Sequence, residues 1–303
     1  MNILLIYPKY PETFWSFKKA LKFVSKKAAF PPLGLLTVAA MLPGDWGKRL
    51  VDLNITTLKQ KDLEWADLVF VSGMLVQKES AGEIIRLCRE GGKTVVAGGP
   101  AFSAEPGSFP GVDHFVLNEA EITLPLFLKD LAEGRPQKMY TSSERPDIRQ
   151  TPVPLWSLID MKKYATMPVQ FSRGCPFDCE FCDIVILNGR KPRTKTSKQM
   201  ITELQSLYNA GWRAGVFIVD DNFIGNKKKV KELLRQVINW QKQYRYPFTL
   251  LTEASVDLAE DPELMDLMSA ANFRKVFLGL ETPCLESLLE CGISAHRPFP
   301  AAW

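Results

Sequence analysis

Phe171-Ser172-Arg173-Gly174-Cys175-Pro176-Phe177-Asp178-Cys179-Glu180-Phe181-Cys182 places three of the six cysteines within eight residues, spaced Cys-x3-Cys-x2-Cys. Gly174 and Pro176 mark a tight loop, and the apolar run before it reads as the end of a strand. Thiolates are the usual ligands of iron–sulfur clusters. Three of them on a 4Fe–4S cluster (Cys175, Cys179 and Cys182) leave one iron open. A small molecule can chelate that iron and receive an electron. The alternative is a structural zinc site, which wants a fourth Cys or His. The two histidines, His114 and His296, are both distant in sequence.

Downstream of the loop the pattern alternates between strand and helix. Strands are expected at Val169–Ser172, Val216–Val219, Phe248–Thr252 and Val276–Leu280. Ser197 is a candidate cap for a helix over Lys198–Ala210 ended by Gly211. Asn226 caps Lys227–Gln243, and Asp261-Pro262 opens a short helix to Ala271. Such repeats suggest part of a parallel (βα) barrel over residues 166–290, with chemistry at the carboxyl ends of its strands. The basic stretch Gly189–Lys195 reads as a solvated loop, with contact to an anionic group as the alternative.

Upstream, residues 1–135 read as a separate α/β domain. Short apolar runs at Ile3–Tyr7, Arg49–Leu53, Leu68–Ser72, Thr94–Ala97 and His114–Leu117 alternate with helical segments. These are Leu33–Leu42, Glu79–Gly91 and Glu121–Leu131. In the middle one, Ile84, Ile85, Leu87 and Cys88 form an apolar face. Near-continuous apolar strands between helices predict a Rossmann-like parallel sheet covered on both faces. Its ligand site is expected in the strand-end loops. Residues 136–165, with Pro136, Pro146, Pro152 and Pro154, read as a linker.

The cysteine loop, together with Ala29-Phe30-Pro31-Pro32-Leu33-Gly34-Leu35-Leu36, Ala97-Gly98-Gly99-Pro100 and Asp220-Asp221-Asn222-Phe223-Ile224-Gly225-Asn226, resembles the radical S-adenosylmethionine enzymes. The resemblance is to their cobalamin-binding branch, which includes hopanoid methylases and the anaerobic magnesium-protoporphyrin cyclase. It covers roughly residues 1–290. It implies that S-adenosylmethionine chelates the open iron and is cleaved to methionine and a 5′-deoxyadenosyl radical, which attacks an unactivated carbon. The cofactor supplies the difficult chemistry and the protein positions it.

The resemblance also assigns candidate residues. Asp220, Asp221 and Asn222 stand where the family usually has a Gly-Gly-Glu-Pro-type segment that contacts the methionine ammonium. This sequence departs from that segment, and a helix cap with a solvated turn is the alternative. Glu253 and Glu281, at later strand ends, are candidates for the ribose hydroxyls, or for surface ion pairs. Phe181 matches the aromatic position near the adenine, with core packing as the alternative. Cobalamin contacts are expected in the strand-end loops Tyr7-Pro8-Lys9-Tyr10, Ser72-Gly73-Met74-Leu75 and Gly98-Gly99-Pro100-Ala101, foremost at Tyr7, Pro8, Ser72, Gly73, Met74, Gly98, Gly99 and Pro100. The cobalt-ligating motif Asp-x-His-x-x-Gly is missing, and His114 reads as structural. The leading reading is cobalamin-dependent methyl transfer to carbon. The alternatives are radical cyclisation or rearrangement without methyl transfer, a non-catalytic iron–sulfur or cobalamin-binding protein, and a zinc-binding structural module. The implied partners are a small-molecule or lipid substrate and a reductant such as flavodoxin or ferredoxin.

The composition is that of a globular chain: 303 residues, 46% apolar and 24% charged. A net charge of +4, spread along the sequence, gives no reason to expect a nucleic-acid partner. No run of about 18 uninterrupted apolar residues suggests a transmembrane helix. The clustered cysteines point to metal binding in a reducing cytoplasm. Only four barrel strands are found, and residues 291–303 form an irregular tail without helix or strand period. The expectation is a chain truncated at its carboxyl end and inactive alone. A short barrel completed by a partner chain is the competing account.

Overall fold

The computed structural model describes residues 1–13, 18–282 and 284–291, so the expected tail lies almost wholly outside the described residues. The chain forms two compact units. The first holds Met1–Pro146 and Gln150–Ala165, and the second holds Asp147–Arg149 and the chain from Thr166.

The first unit is a parallel sheet. Its strands are β1 (Asn2–Tyr7), β2 (Gly47–Asp52), β3 (Leu68–Ser72), β4 (Thr94–Gly98), β5 (His114–Val116) and β6 (Met139–Tyr140), in the order β2-β1-β3-β4-β5-β6. The helices are α1 (Lys18–Phe23), α2 (Leu33–Met41), α3 (Gln60–Trp65), α4 (Lys78–Glu90), α5 (Pro100–Ala104) and α6 (Ala120–Ala132). Side chains alternate across a strand, and the core divides accordingly. Ile3 and Leu5 face Leu35, Ala39, Leu124 and Phe127. Leu4 and Ile6 belong to the other face with Ile84, Ile85, Cys88 and Phe102. Leu87, expected on the apolar face of α4, is instead largely exposed.

The strand order is the doubly wound type whose direction reverses between β1 and β3, rather than the 3-2-1-4-5-6 order of the Rossmann fold. A crevice at that switch point, beyond the strands' carboxyl ends, is where such sheets bind ligands.

Most of residues 136–165, expected as a linker, is part of this unit; Asp147–Arg149 belong to the second. Strand β6 extends the sheet beside β5, pairing Phe115 with Met139 and Val116 with Tyr140. Leu155 N–H donates to Leu36 O (3.0 Å), and the fully buried Tyr164 donates to Asp52 Oδ2 (2.9 Å). A two-residue strand is too short to leave a periodic signal, and the prolines dominate the sequence pattern.

The second unit has strands β7 (Met167–Val169), β8 (Ser172–Arg173), β9 (Arg193–Thr194), β10 (Gly215–Ile218), β11 (Thr249–Ala254) and β12 (Phe273–Leu278). Its helices are α7 (Ile184–Asn188), α8 (Ser197–Asn209), α9 (Lys227–Gln243), α10 (Pro262–Ala270) and α11 (Leu285–Glu290). Four strands form a parallel sheet, β12-β11-β10-β7, as a partial barrel requires. Asn226 and Asp261 cap α9 and α10 as expected, accepting from Lys229 N–H (3.2 Å) and Leu264 N–H (3.1 Å). The cap of α8 is Thr196, not Ser197: its Oγ1 accepts from Gln199 N–H (3.2 Å), and Gln199 Oε1 accepts from Thr196 N–H (3.0 Å).

Two further expectations change. The first barrel strand ends at Val169 rather than Ser172, because Phe171 and Ser172 turn their N–H groups to the Asp220 carboxylate. Ser172–Arg173 then pairs antiparallel with Arg193–Thr194. The stretch Gly189–Lys195 is therefore no free loop: Lys195 is 5% exposed and bonds Glu203, itself buried. Among the described residues, no helix is long and apolar enough to cross a membrane.

Candidate functional site

Cys175, Cys179 and Cys182 lie between β8 and α7, partly exposed and unpaired by disulfides. Gly174 opens the loop at φ +96°, a left-handed conformation that favours glycine. A Cβ there would lie 2.8 Å from Gly189 O and 2.9 Å from Lys191 O. Cys175 N–H donates to Gly189 O (3.2 Å), which closes the loop on itself.

Burial pushes the Cys175 thiol up, and the neighbouring Cys182 adds to it. Cys179 is pushed up by burial and by the nearby charges of Cys175, Cys182 and Glu281. Three crowded thiolates are costly until cations neutralise them, and cluster irons would do so. Among the described residues, no three His, Cys, Asp or Glu side chains converge closely enough to hold one metal ion. In a cluster each thiolate would bond a different iron, so the three thiols need not converge on one point.

The end of β10 meets this loop. Asp220, 2% exposed, accepts from Phe171 N–H (2.7 Å), Ser172 N–H (2.8 Å) and Ser172 Oγ (2.6 Å). Burial pushes its carboxyl to about 7 against these bonds. Both oxygens are used internally, so Asp220 serves the loop rather than a ligand. Asp221 accepts from Gly174 N–H (2.8 Å) and Asn188 Nδ2 (2.9 Å). Asn222 donates to Ser255 Oγ (3.0 Å), and its Nδ2 lies 4.0 Å from Cys175 Sγ. The solvated turn weighed for these residues is thus replaced by a buried polar seam. Ser172, Asn188 and Ser255, which complete it, carry no motif of their own and were not singled out in the sequence.

Glu253 is exposed at the end of β11, and its carboxyl is pushed up by partial desolvation and the Asp221 charge. Glu281 lies three residues past β12, at φ +54°, near enough to Cys179 to affect its titration. Phe181 is 61% exposed, so core packing does not account for it.

In the first unit, the loops after β1, β3 and β4 bring the expected residues to one sheet end. Tyr7 and Tyr10 share a hydroxyl hydrogen bond (2.6 Å), and Tyr10 Oη lies 3.4 Å from Met74 Sδ. Pro8 O accepts from Asn54 Nδ2 (3.1 Å) and Gln77 Nε2 (2.5 Å). Gln77 Oε1 accepts from Met74 N–H (2.8 Å). Gly73 O accepts from Ala101 N–H (3.1 Å). Gly99, at φ +90°, lets β4's end approach β3, where a Cβ would strike Ser72 Oγ. Met74 and Leu75 are about half exposed and Val76 more so. Behind them Asp52, 1% exposed, accepts from Asn54 N–H (2.9 Å) and Nδ2 (2.7 Å). Asn54 and Gln77 were not among the expected residues. His114 Nδ1 pairs with Gln137 O (2.7 Å), the structural role expected of it.

A cysteine loop after the first strand of a parallel sheet defines a class, and residues 169–296 match the family model described as the Radical SAM superfamily. More particularly, the chain is 50% identical over 290 residues to the uncharacterized methyltransferase sll1242 of Synechocystis sp., covering 95% of this chain and 54% of that protein. It is 40% identical over 287 residues to the hopanoid C-2 methylase of Rhodopseudomonas palustris, covering 93% and 54%. The chain thus spans about half the length of the curated relatives it matches. In fold it resembles the cobalamin-dependent S-adenosylmethionine radical enzyme OxsB, solved with aqua-cobalamin and S-adenosylmethionine bound. The TM-score is 0.77 at 18% identity, over 97% of this chain and 45% of that one.

Proposed function

We propose that this chain is the cofactor-bearing part of a cobalamin-dependent radical methyltransferase acting on an unactivated carbon of a small-molecule or lipid substrate. The observation that carries the reading is the three-cysteine loop, clamped at the carboxyl end of β7 by the end of β10. The relatives named methyltransferase and methylase favour methyl transfer over cyclisation. When bound, the 4Fe–4S cluster supplies the electron that cleaves S-adenosylmethionine, and cobalamin carries the methyl group.

The chain's own residues do the rest. Cys175, Cys179 and Cys182 would hold the cluster, leaving a site for the amino acid end of S-adenosylmethionine. Asn222, Glu253 and Glu281 are the candidates for its ammonium and ribose hydroxyls, with Asn222 already bonded to Ser255 through both its amide atoms. Phe181 offers an exposed ring for the adenine. In the first unit, backbone at Gly73, Gly98, Gly99 and Pro100 admits a large ligand, and Met74 presents an apolar surface to its ring. Free thiols and an oxygen-sensitive cluster suit a reducing cytoplasm with a flavodoxin- or ferredoxin-like reductant.

The test is anaerobic reconstitution of residues 1–303 with iron and sulfide, and separately with hydroxocobalamin, followed by gel filtration and metal analysis. About four irons and about one cobalamin per chain are expected. Zinc in place of iron returns the structural-zinc reading, and iron without cobalamin removes the methyl-transfer part.

A further inference from the structure

Three consecutive residues at the end of β10 each hold a successive piece of the cysteine loop. Asp220 takes the entry, through Phe171 and Ser172. Asp221 takes Gly174 N–H, one residue before the first ligand, and reaches across to Asn188 at the end of α7. Asn222 lies against Cys175 Sγ. Asn188 is itself fixed, since its carbonyl accepts from Arg193 Nη2 (3.0 Å) on β9. The loop leaves the sheet at Ser172 and returns at Arg193–Thr194, so Asp221 joins both of its ends by one carboxylate.

That geometry acts on a crowded turn. Gly174 sits at φ +96°, and three backbone carbonyls, those of Asn188, Gly189 and Lys191, stand within 3.2 Å of where its Cβ would be. A backbone N–H held by a carboxylate forms a charge-assisted bond, stronger than a neutral one. Here it fixes the peptide that aims Cys175.

We infer that Asp221 is a positioning residue for the cluster: by holding Gly174 N–H and Asn188 together it sets the loop shape in which three thiols face one cluster. This rests on the cluster reading above. It also assigns Asp221 to the protein's own loop instead of to the methionine ammonium. No bond to a ligand is needed, because both carboxylate oxygens already have partners.

The test uses residues 1–303 and a donor–acceptor swap. In Asp221→Asn the amide still has an oxygen for Gly174, but its NH2 faces the Asn188 NH2. Asn188→Asp alone puts two carboxylates together. The double variant Asp221→Asn/Asn188→Asp restores one donor facing one acceptor and keeps the charge. The first readout is amide hydrogen exchange of residues 171–190 in the metal-free chain. Each single variant should exchange roughly tenfold faster or more there, as expected for losing a bond to a charged group, and the double variant should recover most of this. The second readout is iron release to a ferrous chelator from the reconstituted chain, with the electron paramagnetic resonance line shape of the reduced cluster. Faster release and a broadened signal in the singles, both reversed in the double, support the inference. Unchanged exchange in Asp221→Asn overturns it. So do faster exchange with wild-type iron release and line shape, and singles whose defects the double does not repair. If the wild-type chain takes up no cluster, the functional reading falls, and the exchange arm decides the clamp by itself.

Discussion

The two units each gather loops at the carboxyl ends of parallel strands, yet they hold those loops by different chemistry. In the first unit the loop after β1 is fixed by neutral amides: Asn54 and Gln77 both donate to Pro8 O, and Tyr10 N–H donates to Asn54 Oδ1 (2.9 Å). The carboxylate involved, Asp52, stands one layer back, shared with Tyr164. In the second unit, carboxylates touch the loop directly, through Phe171, Ser172 and Gly174. Neutral amides suit a sheet end with the apolar Met74-Leu75-Val76 at its edge. Charged acceptors suit a loop whose three thiols need fixed directions. Burying those carboxylates raises their affinity for protons, and the cost is offset by the backbone donors they satisfy.

The largest effect that separates the units is loss of the cluster without loss of cobalamin. Cys175→Ala, Cys179→Ala and Cys182→Ala should each abolish iron binding, while hydroxocobalamin uptake by the same proteins stays at the wild-type level. Cys284→Ser, at an exposed position, should leave iron unchanged. Cys88 lies in the core, its thiol pushed up to about 11 by burial, and is expected to play no part in binding. Full iron content in the triple cysteine variant would remove the functional difference between the units.

A second effect is on pH dependence. Asp220 is held at about 7 against an ordinary 3.8, mainly by burial. Between those values the folded chain keeps a proton that the unfolded chain has lost. Stability contributed by this group therefore falls as pH rises from about 3.8 to about 7, and is level above that. The slope approaches about 1.4 kcal/mol per pH unit at most. Asp52 shifts in the same direction, also by burial, with the bonds from Asn54 and Tyr164 working against the shift. The measurement is urea denaturation of the metal-free chain at several pH values. The wild-type midpoint should drop relative to Asp220→Asn across this window. Parallel pH profiles for the two proteins would show that Asp220 is not a raised carboxyl.

These differences also explain what was legible in the sequence. The cysteine loop was readable because metal ligands need fixed spacing, and spacing is a property of sequence. The strands β1, β3 and β4 were readable because both faces of a parallel sheet are covered and the runs are apolar throughout. The clamp was not readable: Asp220, Asp221 and Asn222 carry the chemistry of a ligand site and of a structural seam equally well. Only the pairing of β10 beside β7 decides between them. Lys195 was misread for the same reason, since its partner Glu203 lies on α8 and forms no motif with it. In the first unit, Asn54 and Gln77 are ordinary polar residues whose roles arise from three strand ends converging at the sheet's switch point. Strand β6 was lost because two residues have no period.

The smallest expected effect probes the amide-held crevice alone. In Tyr10→Phe the ring survives, with its edge-on contact to Tyr7 at 5.9 Å between centroids, and so does the backbone tie to Asn54. What goes is one oxygen that meets both Tyr7 Oη and Met74 Sδ. Met74, half exposed, is then less constrained, and Tyr7 must find water for its hydroxyl. Loss of one neutral hydrogen bond costs about 1 kcal/mol, or roughly a fivefold weaker ligand. Hydroxocobalamin titrated into Tyr10→Phe should therefore bind about fivefold more weakly, at unchanged iron content. Met74→Leu keeps the apolar surface without the sulfur and should fall between wild type and Tyr10→Phe. If both variants bind cobalamin as tightly as wild type, the ligand does not sit over the ends of β1 and β3. If iron content falls in step with cobalamin, the two crevices do not act separately.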